Sequence, residues 1–143
     1  MASPDDFFNG NLNAFRSGKL AKYVVFDLGL SPSVGRKEFP RALIFMPQST
    51  LSKAVQKHNI DLNILSDLPT MLLGSDRIYR SKTVENSFVL RLSERWGGEY
   101  LVAALEYVKH ADFGNSYMLK SIHTRPDEQF SRWDAEGLLL YKK

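Results

Sequence analysis

The sequence predicts an α+β domain: an antiparallel sheet of about four to six strands with helices packed on one face. Three observations carry this. Short β-branched and aromatic runs dominate residues 76–125, separated by turn chemistry at Asn86, at Trp96-Gly97-Gly98 and between His110 and Asn115. Two stretches, STLSKAVQKH and PDEQFSRWDAEG, carry helical spacing or punctuation instead. The chain has 143 residues, the size of one ordinary domain with a real core.

Residues 1–20 are polar, with Gly, Asn and Ser between scattered Phe7, Phe8, Leu12 and Phe15. They read as an arm or lead-in, leaving 21–143 as one α+β domain. YVVFDLG at 23–29 is a strand closed by glycine, SPSVGRKEFP a loop, and ALIFM at 42–46 a second strand. Pro47 stops that strand, and Ser49 or Thr50 can cap the helix that follows. In this helix Leu51, Ala54, Val55 and His58 fall at i, i+3, i+4 and i+7, which is one face. His58 therefore continues an apolar stripe at the helix's C-terminal end, where Asn59, Ile60 and Asp61 loosen it. A short helical piece around LPTMLL ends at Gly74.

Four strand-like runs follow: 76–81, 87–95, 99–108 and 116–125. The third, rich in Ala and Leu, also suits a helix; the turns on either side favour a strand. Residues 126–137 begin with proline, carry acids in the first turn and end in glycine, as a helix should. LLLYKK is a final strand.

Composition excludes several classes. There are no cysteines, so disulfides and thiolate metal sites are ruled out. This suits a reducing cell, and equally a chain threaded through a secretion or injection machine. No apolar run approaches the ~20 residues that span a bilayer, and MASPDDFF begins acidic, unlike a signal peptide. A net charge of +3 permits a polyanionic partner without demanding one. The histidines lie far apart, with no HxxxH or HExxH pair, so no metal site is expected. Nucleotide-binding glycine loops and GxSxG are missing as well, and no cofactor is expected.

Two places carry candidate chemistry. On the strand SYMLKSIHTR, period two puts Ser121, His123 and Arg125 on one face and Lys120, Ile122 and Thr124 on the other. A hydroxyl, an imidazole and a guanidinium together can hold a phosphate and move a proton; the plainer alternative is an ordinary polar strand face. His58 is the second place. Its plainer alternative is an inert core histidine, but Lys57 precedes it and the helix ends just after it, so the ring can emerge at the sheet's edge. A helix C-terminus also favours a cation, which predicts a raised imidazole pKa. His110, in a turn beside Asp112 and Gly114, reads as surface.

The segment KHNIDLNILSDLPTMLLGSDRIYRS and the closing LKSIHTR … WDAEGLLLYKK resemble small phage-associated domains grouped with the barnase, EndoU, colicin and RelE-like nucleases, often the C-terminal toxin of phage MuF-type proteins. The resemblance covers residues ~20–143. It implies metal-independent RNA cleavage, in which the ribose 2′-OH attacks the adjacent phosphate, a base and an acid move protons, and cations steady the phosphate. DNA, lacking that hydroxyl, would be spared. Carried over position by position, His58 matches the family's helix-end histidine and is the first choice for acid or base, with Lys57 beside it to neutralise phosphate. Ser81 and Ser121 match recurring serines that would orient the phosphate. His123 departs from the aromatic or polar residue expected there, which leaves it as second proton carrier. Arg125 would clamp phosphate, and Tyr141 matches the terminal-strand tyrosine, where packing serves as well as chemistry. The implied setting is a toxin acting in the cytoplasm after delivery by a phage or secretion system. RNA, with tRNA a candidate, is its substrate, and an immunity protein is a candidate partner.

Two rival readings stand beside this one. One is a different enzyme on the same scaffold, acting on a phosphorylated substrate. The other is a non-catalytic phage-encoded binding module or inhibitor of a host protein or RNA. Geometry separates them: an enzyme needs His58 and the face carrying Ser121 and Arg125 to meet.

Overall fold

The computed structural model describes residues 23–27, 43–65, 67–111 and 114–142; the expected N-terminal arm and the loop at 31–40 lie outside them. The elements in chain order are β1 (Tyr23–Asp27), β2 (Leu43–Pro47), α1 (Gln48–Gln56), α2 (Leu62–Leu65), α3 (Leu68–Leu73), β3 (Arg77–Arg80), β4 (Ser87–Trp96), β5 (Glu99–His110), β6 (Gly114–Arg125), α4 (Asp127–Ala135) and β7 (Leu139–Lys142). The α+β class is as expected, and the Ala- and Leu-rich run at 99–108 is a strand.

The sheet differs from expectation in two respects. It has seven strands, ordered β1-β2-β6-β5-β4-β3-β7, and it is mixed, because β2 pairs with β6 in parallel. The parallel pair arises because α1 to α3 and the hairpins intervene between β2 and β6, so β6 returns beside β2 from the far side of a long crossover.

The helices also do not share one face. Ile44, Ile78, Leu90, Leu101, Ala103 and Leu105 form one core with Leu51, Ala54, Leu65, Leu68 and Leu72 of the first three helices. The intervening strand residues Tyr79, Val89, Tyr100 and Val102 form a second, smaller core with Phe130 and Trp133 of α4. Strand alternation alone sorts the two sets. Tyr79 and Phe130 are each 1% exposed, and burying side chains of this size contributes on the order of 1.5–3 kcal/mol apiece.

Two turns show why the hairpin and helix ends fall where they do. Gly97 and Gly98 both adopt positive φ (63° and 84°), which gives the two-residue turn whose twist matches its strands. Gly137, at φ 74°, ends α4: its N–H donates to Asp134 O at 3.1 Å, and that of Leu138 to Trp133 O at 3.1 Å. This is the Schellman arrangement that places a left-handed residue just past a helix.

At the start of α1 neither expected cap forms. Pro47 occupies the cap position with no side-chain hydrogen bond, and Thr50 Oγ1 turns outward to donate to Leu119 O at 2.8 Å. No helix among the described residues is long and apolar enough to cross a membrane.

Candidate acid–base site at the edge of the sheet

β6 is the strand on which the site is built. Its first half pairs with β2 through Ser116, Tyr117 and Met118. Beyond that point β2 has turned into α1, so the outer edge of β6 is covered by the helix instead. Thr50 Oγ1 ties α1 to that edge, bonding Leu119 O and, at 3.3 Å, Lys120 O. Leu51 and Ala54, both fully buried, hold the helix against the first core.

On its other side β6 pairs with β5, and the register slips between Ala104↔Ser121 and Leu105↔Leu119. Lys120 is the extra residue of a bulge. Leu119 and Ile122 consequently both enter the same core. Ser121, His123 and Arg125 pair with Ala104, Val102 and Tyr100 on the face shared with α4. The expected placement of Lys120 beside Ile122 is corrected by this bulge: Lys120 Nζ instead bonds Ser87 Oγ at 3.0 Å, and Ser87 lies on the opposite face from Phe88 and its core.

The end of α1 brings the second imidazole. Lys57 and His58 N–H both donate to Lys53 O, at 2.8 and 3.1 Å. The chain then reverses through Asn59 at φ 55°, and Ile60 N–H returns to Ala54 O at 2.9 Å. Ile60 is 1% exposed, and Trp96 Nε1 donates to Asn59 O at 3.1 Å. A buried isoleucine and an indole thus pin the turn that presents His58. Its ring stands 5.7 Å from that of His123, centroid to centroid, tilted by 40°. Ser121 Oγ lies 3.1 Å from His123 Nδ1.

The electrostatics favour neutral rings. Burial first, then Arg125 and His58, pushes the His123 pKa down to about 4. The His58 pKa is also lowered, by burial, then Lys57, then Arg125. This corrects the raised value expected from the helix end: desolvation and two neighbouring cations outweigh the partial charge of the terminal carbonyls. Among the described residues no carboxylate pairs with Lys57 or Arg125. Two imidazoles and two uncompensated cations therefore converge. Such a group can take an anion between the cations and move protons at two of its oxygens.

The other sequence candidates lie elsewhere. Ser81 Oγ accepts N–H bonds from Thr83 and Val84, at 3.3 and 3.1 Å, and so closes the β3–β4 turn. It sits three strands from β6, roughly 14 Å across the sheet before any offset along it. Tyr141 is on edge strand β7, paired with Ile78, and packs against the first core. His110, on β5, lies against Phe45 with ring centroids 4.8 Å apart.

Two residues beside the site escaped the sequence reading. Arg95 and Arg91 stack on Tyr100, with Cζ 3.9 and 4.3 Å from the ring centroid. The signal was the glycine pair: a two-residue turn at Gly97-Gly98 puts Arg95 opposite Tyr100. Among the described residues no group of three His, Asp or Glu side chains converges as metal ligands would.

No curated protein and no solved structure matches the chain. The model of one family, the phage MuF C-terminal domain, matches residues 49–143. That span runs from the start of α1 to the end of the sequence and includes both histidines, Ser121 and Arg125. It is about two thirds of the 143 residues, and the chain belongs to the phage MuF C-terminal domain family.

Proposed function

We propose that this domain is a metal-independent endoribonuclease of the barnase, EndoU, colicin and RelE-like kind, serving as a toxin or effector delivered into the cytoplasm of a cell by a phage or secretion system. The observation that carries the reading is the pairing of His58 with His123 between Lys57 and Arg125.

The chemistry follows from the pKa order. His123, the more strongly depressed ring, is neutral at pH 7 and takes the proton of the ribose 2′-OH. The 2′-oxygen then bonds to phosphorus, and the bond from phosphorus to the 5′-oxygen breaks. The leaving oxygen takes its proton from His58. Burial, then Lys57 and Arg125, lower the His58 pKa; a bound phosphate lying against the two cations offsets their repulsion and favours the protonated ring that donates. The products are a 2′,3′-cyclic phosphate and a 5′-hydroxyl. Ser121, bonded to Nδ1 of His123, sets which ring nitrogen faces the substrate.

The test is incubation of the folded protein with total RNA and with tRNA in EDTA, beside His58→Ala. Wild type should cleave both and leave cyclic phosphate ends, with DNA untouched. His58→Ala should lose about 10²–10⁴-fold in rate, the usual contribution of a positioned proton carrier. A wild-type rate in the alanine variant overturns the assignment. RNA bound but left intact by wild type makes the domain a non-catalytic binder instead.

A further inference from the structure

We infer that a cross-strand row formed by Arg125, Tyr100 and Arg95 is a binding strip for single-stranded RNA, taking the nucleotide next to the phosphate held by the histidine pair. The inference rests on the ribonuclease reading and adds to it the form of the substrate and the residues that grip it.

The row is set by register. Arg125 of β6 pairs with Tyr100 of β5, and Tyr100 pairs with Arg95 of β4. Residues paired in antiparallel strands share a face, so the three side chains form a line roughly 10 Å long at successive strand spacings. The next row inward is His123, Val102 and Arg91, by the same pairings. The strip therefore begins one register step from His123, on the face to which His123 belongs.

Each member suits a different part of a nucleotide. Arg125 is exposed and has no carboxylate partner among the described residues; its Nη1 bonds only the Thr124 carbonyl, at 3.4 Å. It is available for a phosphate. Arg95 is held in place: Nη1 donates to Gly98 O at 2.9 Å while Cζ sits over the Tyr100 ring, 3.9 Å from its centroid. Arg91 lies over the same ring and over Phe130, and is fixed from behind by a two-pronged bond to Asp76, both contacts 2.8 Å. Arg91 is thus enclosed, whereas Arg95, its side chain 44% exposed, keeps a planar group at the surface on which a base can stack.

Asp127 is the local competitor, 3.3 Å from Arg95 and largely exposed. Exposed pairs of this kind hold weakly, and Asp127 satisfies the edge of the guanidinium while leaving its face open. A duplex keeps its bases inward and has nothing to offer that face, so the strip selects unpaired RNA.

The test uses a 2′-O-methyl octanucleotide, which cannot be cleaved, the same backbone without bases, and the octanucleotide in duplex form. Fluorescence anisotropy is read across a salt series. Wild type should prefer the single strand. Arg95→Lys, which keeps charge and loses the plane, should weaken the single strand about tenfold, with an unchanged salt slope and an unchanged affinity for the base-free backbone. Arg125→Ala should lower the salt slope by about 0.7, the value for one phosphate contact on a single strand. Arg80→Ala, on distant β3, should match wild type, and thermal melts confirm that each variant is folded. Arg95→Lys binding like wild type, or a duplex bound as tightly as the single strand, overturns the strip. If His58-dependent cleavage persists in that case, the ribonuclease reading stands without it; wild type that neither cleaves RNA nor binds any oligonucleotide removes both.

Discussion

Replacing His123 by glutamine should make the domain more resistant to acid. In the folded protein His123 titrates at about 4; in an unfolded chain a histidine titrates near 6.5. The folded ring resists protonation because it is largely buried and faces Arg125 and His58. The sign follows from proton counting. Below pH 6.5 the unfolded state binds a proton that the folded state refuses, so stability falls with pH until the folded ring also titrates. Each pH unit across that window costs up to about 1.4 kcal/mol, which integrates to a loss of about 1 kcal/mol by pH 5.5 and about 3 kcal/mol by pH 4. Glutamine cannot titrate, yet its amide keeps a partner for Ser121. Urea unfolding of both proteins at pH 7, 5.5 and 4 cancels the carboxylates common to the two. The gap in unfolding free energy should shift in favour of His123→Gln by about 3 kcal/mol over the series. Parallel curves would show that His123 is not held neutral, and the case for it as the proton acceptor would go with them.

Three further outcomes follow from the packing and placement. Thr50→Val keeps the shape of the side chain but strips a buried carbonyl at Leu119 of its donor; it should cost about 1–3 kcal/mol, read as a lower melting temperature, and should broaden or shift the imidazole resonance of His58. Asp76→Asn removes the anion from the two-pronged bond to Arg91, whose side chain is 12% exposed, and should cost about 2 kcal/mol in urea unfolding at neutral pH. Ser81→Ala and Tyr141→Phe, one in a turn and one on the far edge strand, should leave the RNA cleavage rate within about twofold of wild type, although family likeness alone would have chosen both.

Much of the fold was legible because local chemistry and final structure agree. The glycine pair after Trp96, the proline and acids opening α4, and the spacing of Leu51, Ala54 and Val55 each specify their element without help from distant contacts. What was not legible depends on pairing partners. Nothing near Leu43 announces a parallel neighbour at Ser116, 73 positions away, since a parallel pair is made by the crossover and not by the strand. The second core was hidden for a related reason: Tyr79 and Phe130 are both apolar, but only the alternation of Ile78 and Tyr79 against known partners shows that they meet on the far face. For the site, the helical stripe located His58 and period two located Ser121, His123 and Arg125 relative to one another. The bulge at Lys120 leaves no local signature, and it decides which way that group points. The direction of the His58 shift failed because burial, its largest cause, is set by tertiary packing, with Lys57 and then Arg125, 67 positions away, adding to it.

That bulge makes β6 behave as two strands joined out of phase. Upstream of it, the odd-numbered Tyr117 and Leu119 are buried in the first core; downstream, the even-numbered Ile122 is. Replacing Lys120 would forfeit its bond to Ser87 but keep both halves in phase, whereas deleting it would force one half to turn inside out, driving either the histidine into oil or the isoleucine into water. The side chain at that spot is therefore open to change, whereas the length of the strand there is not, because each half performs its own job only in its present phase.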